Sequence, residues 1–382
     1  MTDTGPRAEI VVDLDAIRSN VATLKRHAAG AAMMTVVKAD GYGHGMAQVA
    51  RAAREAGAEW LGVATIDEAL VLRAAGDEGR VLCWLAVPGE DYRRPVAAGI
   101  DVTAYTVAEL DEIVAAARAV GVPARLQLKI DTGLNRGGAS AEEWPDLVAA
   151  AAKAQGDGHA TVTGVWSHLA CSDEPDHPAN DAQEQAFRCA LEVVDSAGVS
   201  PEVRHLANSA ATVSRASAHF DLVRCGIATY GHSPIPGTAT SAELGLVPAM
   251  TVRGRLALVK PVSAGKGVSY GHTYTTEKDT TVGVVPMGYG DGVPRHASSV
   301  APVLAAGRVR TIAGRVCMDQ FLVDLEGDEA AAGDPVVLFG PGTDGEPTAQ
   351  DWADACGTIS YEIVTRVGGR MRRSYRGTRE RG

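Results

Sequence analysis

The chain has 382 residues, of which 46% are hydrophobic and 22% charged, so it can bury a core and is not disordered as a whole. A formal net charge of −11 argues against sequence-independent nucleic-acid binding, which needs a basic face to neutralise phosphates. No run of ~18 apolar residues is present, which predicts no membrane helix, and residues 1–10 are too polar for a secretory leader. The six cysteines are scattered and form no Cys-x-x-Cys pair. They read as the reduced thiols of a cytoplasmic protein, with no disulfide frame and no zinc site. Arginine outnumbers lysine 29 to 7, so amine chemistry has few candidates.

Residues 8–12 read as a strand, and 13–27 as a helix. Apolar runs then follow at 33–37, 60–64, 81–86, 100–105, 124–130, 161–166, 203–206 and 221–227. That is about eight, the number that closes a parallel barrel. Ala-rich amphipathic segments lie between them; those at 45–58 and 106–120 have apolar residues at helical spacing. The pattern predicts a (β/α)8 barrel of the TIM type over 1–240. Residues 231–243 are rich in Pro, Gly, Ser and Thr and read as the boundary. From 241 to 382 the runs are Val-rich and separated by turns, which predicts a smaller, mainly β domain. The strand at 8–12 is a candidate to join it. Thr348 is placed to cap a helix over 349–356, a second short helix is expected at 360–367, and the basic tail from 370 reads as frayed.

Active sites of such barrels lie at the C-terminal ends of the strands. The first run leads into Val37-Lys38-Ala39-Asp40-Gly41-Tyr42-Gly43-His44-Gly45, and the fifth into Lys129-Ile130-Asp131-Thr132-Gly133-Leu134-Asn135-Arg136. Ser167-His168 and Asn208-Ser209 follow the sixth and seventh, and the eighth contains Arg224-Cys225-Gly226-Ile227. Lys38 would carry a buried amine able to form a Schiff base, or would simply end a strand in solvent. Arg224, inside an apolar run, would either pair with a barrel carboxylate or face a ligand. Ser209 with the Gly226 and Ile227 amides would suit a phosphate, or Ser209 would be an ordinary helix cap. His168 alone reads as a hydrogen-bonded core histidine. Its neighbours Asp173, Asp176 and His177 match no standard metal-ligand spacing, so no metal is expected. Spacing alone gives Tyr270 and Met318 no role.

Taken together, the motifs resemble the alanine racemase family. The match runs from Val-Val-Lys38-Ala-Asp-Gly-Tyr42-Gly-His-Gly through Lys129–Arg136, Trp-Ser-His168, Asn208-Ser209 and Arg224-Cys-Gly226-Ile227. It continues through Ser-Tyr270-Gly, Gly-Tyr289-Gly-Asp-Gly, Cys317-Met318-Asp319 and Ile-Ser-Tyr361-Glu. The resemblance implies a pyridoxal 5′-phosphate enzyme that interconverts L- and D-alanine, acting as a homodimer and supplying D-alanine for peptidoglycan. It implies that Lys38 holds the cofactor and serves as one base, with Tyr270 of the partner subunit as the other. Arg224 would meet the pyridine nitrogen, and His168 would link it to Tyr270. Tyr42, Ser209, Gly226, Ile227 and Tyr361 would hold the phosphate, with Asn208 beside it and Trp84 lining the pocket. Arg136 and the Met318 amide would meet the substrate carboxylate. Lys129 matches a position carbamylated in some members. Decarboxylases of basic amino acids share the two-domain plan but typically set an acid at the pyridine nitrogen. Barrel-only cofactor carriers lack counterparts of Tyr270 and Met318, and a preference for serine over alanine is not legible in these motifs.

Overall fold

The computed structural model describes residues 5–377. Among the described residues the backbone divides into two compact units, one of residues 17–41 and 45–246, the other of residues 5–16, 42–44 and 247–377. Strand β1 (Ala8–Asp13) belongs to the second unit.

The first unit is the barrel. Its strands are β2 (Ala32–Val36), β3 (Trp60–Thr65), β4 (Arg80–Leu85), β5 (Asp101–Ala104), β6 (Ala124–Lys129), β7 (Ala160–Trp166), β8 (Val203–His205) and β9 (Leu222–Cys225). All neighbours run parallel in the order β8-β7-β6-β5-β4-β3-β2-β9. Between β8 and β9 the Asp221 and Arg224 amides donate to Arg204 O and Ala207 O at 3.0 and 2.9 Å, so backbone hydrogen bonds close the ring. The helices between strands have definite ends. Thr65 and Glu68 form a capping box on Ile66–Ala74. Thr106 caps Val107–Val120, and left-handed Gly121 stops it. Residues 231–246 stay with the barrel instead of ending it at 240, because Ile235 and Leu246 are buried and Thr23 Oγ1 reaches Gly245 O.

At the strands' N-terminal end, Asp101 is fully buried and paired with Arg80 and Arg125, at 3.4 and 3.1 Å. Glu202 takes the other side of both arginines, and Arg80 lies over the Trp60 ring.

In the second unit, β1 sits inside a six-stranded sheet. It pairs antiparallel with β10 (Met250–Arg255) and parallel with the last strand, Arg372–Arg376. The tail expected to fray is therefore a strand as far as Arg376; the rest of that expectation, residues 378–382, lies outside the described residues. The physical reason is the free edge of β1, whose unpaired backbone groups the basic strand satisfies. A three-stranded sheet, Leu258–Val262, Thr280–Val285 and Phe321–Asp324, completes the β scaffold. Thr348 and Asp351 cap the helix Ala349–Cys356 reciprocally.

Asp101→Ala removes a buried carboxylate and its charge-assisted contacts, while Arg80 and Arg125 keep Glu202 and solvent, so it should cost about 2 kcal/mol. Urea unfolding of the two proteins at neutral pH measures it.

Candidate active site

Lys38 follows β2 and opens a backbone segment of unusual geometry. Ala39, Asp40 and Gly41 have φ/ψ near 52/51, 53/46 and 63/45, and Tyr42 has φ 52, so the turn is left-handed. Left-handed backbone costs an ordinary residue roughly 1–2 kcal/mol. Three hydrogen bonds offset it. Glu68 Oε1 accepts the Ala39 amide at 2.7 Å, Asp40 Oδ1 accepts the Met46 amide at 2.9 Å, and the Gly41 amide donates to Val37 O at 2.8 Å. The capping-box carboxylate of one helix thus anchors the lysine turn of the preceding strand. Strain held by its surroundings is common at functional sites.

A group of rings gathers the cations of the barrel. Lys38 Nζ lies 5.7 Å from the Trp84 ring centroid, and Trp84 meets Trp166 edge-on at 6.1 Å. Over Trp166 stand Lys129 Nζ at 4.8 Å and Arg224 Cζ at 4.9 Å, while the His205 ring stacks on it at 5.6 Å. The Tyr105 ring is 5.2 Å from Lys129 Nζ, and its hydroxyl donates to Trp84 O.

Among the described residues Arg224 has no carboxylate partner, so the structural ion pair weighed from the sequence is not what the fold builds. Its Nη2 donates to Ser167 O at 2.7 Å, Leu206 O at 3.1 Å and His168 Nδ1 at 3.2 Å, and its Nη1 to His205 Nδ1 at 2.9 Å. Its Nε has no partner among the described residues. Burial pushes the guanidinium down to about 9, which leaves it charged at neutral pH. Burial and then the Arg224 charge hold His168 and His205 well below the ordinary histidine range. Both imidazoles are therefore neutral. Because each Nδ1 accepts from Arg224, each Nε2 carries the hydrogen.

Lys38 is pushed below the ordinary lysine value by burial and by the Arg136 charge, with Glu68 opposing. Lys129 is pushed to about 8 by burial, Arg224 and Arg136. Arg136 itself is exposed, and its guanidinium makes no hydrogen bond among the described residues. Its backbone is fixed by Asp131, whose carboxylate accepts the Gly133, Asn135 and Arg136 amides at 2.9, 3.1 and 3.0 Å. A rim of Lys38, Lys129, Arg136 and Arg224 suits an anionic, ring-bearing ligand.

Near β9 the helix cap is Asn208, whose Oδ1 accepts the Ala211 amide at 3.1 Å and bonds Ser172. Ser209 is thereby free of the capping role, and its hydroxyl accepts the Gly226 amide at 2.8 Å. The Ile227 amide donates to no group among the described residues.

The remaining expected residues belong to the second unit. Tyr270 is 71% exposed, in a turn where Ser269, Gly271 and His272 all have positive φ. Met318 is 55% exposed. Tyr361 opens the helix Ser360–Arg366, and its ring lies 6.2 Å from that of Tyr42, which belongs to the same unit. Gly43 beside it is obligatory, since a Cβ there would lie 2.3 Å from Val364 O at φ +79. Sequence reasoning missed His205, Trp166, Tyr105 and Glu68. A histidine inside the apolar run at 203–206, three residues before Asn208, was the signal for the first.

Family models for alanine racemase match both parts of the chain, the N-terminal domain over residues 12–234 and the C-terminal domain over 249–375. An alanine racemase of Salinispora arenicola (strain CNS-205) is 58% identical over 374 residues, covering 98% of this chain and 99% of the relative. One from Streptomyces coelicolor is 56% identical over 374 residues, covering 97% and 96%. Among solved structures, an alanine racemase from D-cycloserine-producing Streptomyces lavendulae superposes with a TM-score of 0.97 at 55% identity, covering 98% of each chain. The two-domain barrel and its lysine-centred rim are those of an amino-acid isomerase. The chain belongs to the alanine racemase family.

The depressed Lys129 amine makes a signed prediction. Its charged form is penalised in the folded state, so the cost is fully present below about 8. It is relieved as pH rises from there toward the unfolded lysine value of ~10.4, so stability rises across that window. Lys129→Met should therefore stabilise the protein by on the order of 3 kcal/mol at pH 7 in CO2-free buffer, and the gain should vanish by roughly pH 10. Denaturant unfolding of both proteins across that range measures it.

Proposed function

We propose that this protein interconverts L- and D-alanine with pyridoxal 5′-phosphate, as a homodimer in the cytoplasm, and supplies D-alanine for peptidoglycan. The observation that carries the reading is a buried arginine, Arg224, served only by neutral acceptors, at the mouth of a barrel whose lysine has a depressed pKa. The residues fit the cofactor. Its ring nitrogen needs a donor that does not surrender its proton, and the unpartnered Arg224 Nε is one. Its phosphate needs hydroxyls and amides, which Ser209 and Ile227 would supply, together with Gly226 once its amide leaves the Ser209 hydroxyl, with Tyr42 and Tyr361 and with Asn208 alongside. Trp84 would line the pocket beside Lys38. When bound, the cofactor supplies an electron sink for the carbon that loses its proton.

The protein's own part is to hold that cofactor at Lys38 and move one proton. Lys38 Nζ, whose pKa is lowered by burial and by Arg136, acts on one face of the substrate α-carbon. Tyr270 Oη of the partner subunit acts on the other and takes the proton of L-alanine. His168 supports that tyrosine: its Nε2–H is the free donor, because Nδ1 is occupied by Arg224. Arg136, a cation with no ion pair among the described residues, and the Met318 amide would meet the substrate carboxylate. Lys129 would serve as a carbamate. An amine lowered to about 8 near two guanidiniums has a larger neutral fraction than an ordinary lysine, and that fraction is nucleophilic toward CO2; the resulting anion would compensate Arg136.

Chiral analysis of alanine after incubation with the protein tests the reading. D-alanine should appear only with pyridoxal phosphate present, and Lys38→Ala should abolish it; a cofactor-bound protein that leaves L-alanine intact overturns the proposal. Tyr270→Phe should slow α-proton exchange from L-alanine into D2O by more than about 100-fold. The shared site makes a further demand. Mixing inactive Lys38→Ala and Tyr270→Phe subunits should restore about a quarter of wild-type activity, because half the dimers are mixed and each has one complete site. An inactive mixture with proven subunit exchange would place both bases in one chain.

A further inference from the structure

We propose that the ion pair between buried Asp291 and half-exposed Arg370 is a positioning device for the Met318 amide, and so for the substrate carboxylate. The proposal rests on the carboxylate role given to Met318 above and deepens it. All the residues concerned lie in the second unit.

Residues 317–320 form an exposed turn in which the Cys317 amide donates to Gln320 O at 2.9 Å. Two neighbouring amides hold its carbonyls. Tyr289 N–H donates to Cys317 O at 3.0 Å, and Gly290 N–H to Met318 O at 2.8 Å. A trans peptide points its C=O and N–H in opposite directions. Fixing Cys317 O from one side therefore aims the Met318 N–H away from the 288–292 loop. That N–H donates to nothing among the described residues. It is a presented donor on a half-exposed residue, oriented by its own flanking carbonyls.

The loop that does the orienting has no room to relax. A Cβ on Gly288 would lie 2.3 Å from Cys317 O and 2.4 Å from Met318 O, and one on Gly292 would lie 2.0 Å from Arg366 O. Its conformation is set by Asp291. One carboxylate oxygen accepts the Gly288 amide at 3.1 Å. Arg370 then grips both oxygens, Nε on Oδ1 at 3.0 Å and Nη2 on Oδ2 at 2.9 Å, and Arg7 adds a contact at 3.3 Å. The Asp291 carboxylate is completely buried. Arg370 does not stop there. Its Nη1 donates to Asp319 Oδ1 at 2.6 Å, on the residue next to Met318. One guanidinium therefore ties the supporting loop to the presented turn. A pair needed only for stability would not require that second arm, nor would it sit under the one unpartnered amide of the Cys317–Met318 peptide.

The test uses the cofactor-loaded enzyme with Arg370→Met and Arg370→Lys. Arg7 remains on Asp291 in both, and thermal unfolding confirms that each variant folds. The probe is propionate, a carboxylate without the reacting amine. Arg370→Met should raise the KM for L-alanine and the inhibition constant of propionate about 10-fold, with kcat changed less than about 3-fold, and Arg370→Lys should recover part of the loss. Hydrogen exchange of the segment 316–320 supplies the second readout. Propionate should slow the Met318 amide in the wild type and slow it less in Arg370→Met. If Arg370→Met lowers the unfolding temperature but leaves KM and propionate inhibition unchanged, while propionate still protects the amide, the pair is structural and the positioning proposal is overturned. If propionate fails to protect the amide even in the wild type, the carboxylate role of Met318 falls, and this proposal falls with it.

Discussion

The barrel site depends on one buried guanidinium that is given no counter-ion. Arg224 is satisfied by two backbone carbonyls and two imidazole nitrogens, all neutral. A charge treated this way is costly to bury, and it acts on whatever surrounds it. After burial, it is the next cause that holds His168 and His205 well below the ordinary histidine range, and it helps lower Lys129. It also dictates hydrogen positions. Since His205 Nδ1 accepts from Arg224, Nε2 must donate, and Gln127 must turn its oxygen toward it, at 2.8 Å. The Gln127 Nε2 is left buried without a partner, a cost the barrel accepts to fix the imidazole. Gly164 makes the space, because a Cβ there would lie 2.7 Å from Gln127 Cδ.

Lys38 is held and tuned from a different source. The amine is tuned by burial and by Arg136, but its direction comes from the left-handed turn at 39–42. Glu68 takes part in both effects. It anchors the Ala39 amide and opposes the loss of the lysine's charge. Moving that carboxylate would change turn geometry and amine basicity together, so the two properties are coupled through one side chain.

What the sequence reveals follows physical range. Barrel strands, helix caps and the β-rich second unit are written in local periodicity and in residues such as Thr106, Gly121 and Thr348, so they were legible. Lys38, His168 and Arg224 stood out because a polar group ending an apolar run is locally anomalous. Their partnership was not legible, since Arg224 meets His168 across 56 positions and Tyr42 meets Tyr361 over a still longer separation. The left-handed turn was invisible because Ala39 and Asp40 are not residues that announce positive φ, and tertiary bonds impose it. The tail strand was misread because its own basic composition says exposed, while the partner that orders it is β1, at the other end of the chain.

The alternative enzyme on this fold can be weighed by hydrogen-bond arithmetic. A decarboxylase-type site would set an acid where Arg224 stands. That acid would face Ser167 O, Leu206 O and two imidazole Nδ1 atoms, four acceptors and no donor. To satisfy it, both histidines would have to move their hydrogens to Nδ1. His205 would then turn a bare Nε2 toward Gln127 Oε1, and the glutamine would have to flip as well. Even so, the two carbonyls would remain opposed to a carboxylate. Arginine leaves Gln127 Nε2 and, among the described residues, its own Nε unpaired, whereas the acid requires both imidazoles and the glutamine to invert and still opposes two carbonyls. The choice of cation at this position is therefore made by the surrounding barrel as much as by residue 224, which is why the neighbouring neutral groups discriminate between the two chemistries better than the arginine considered alone.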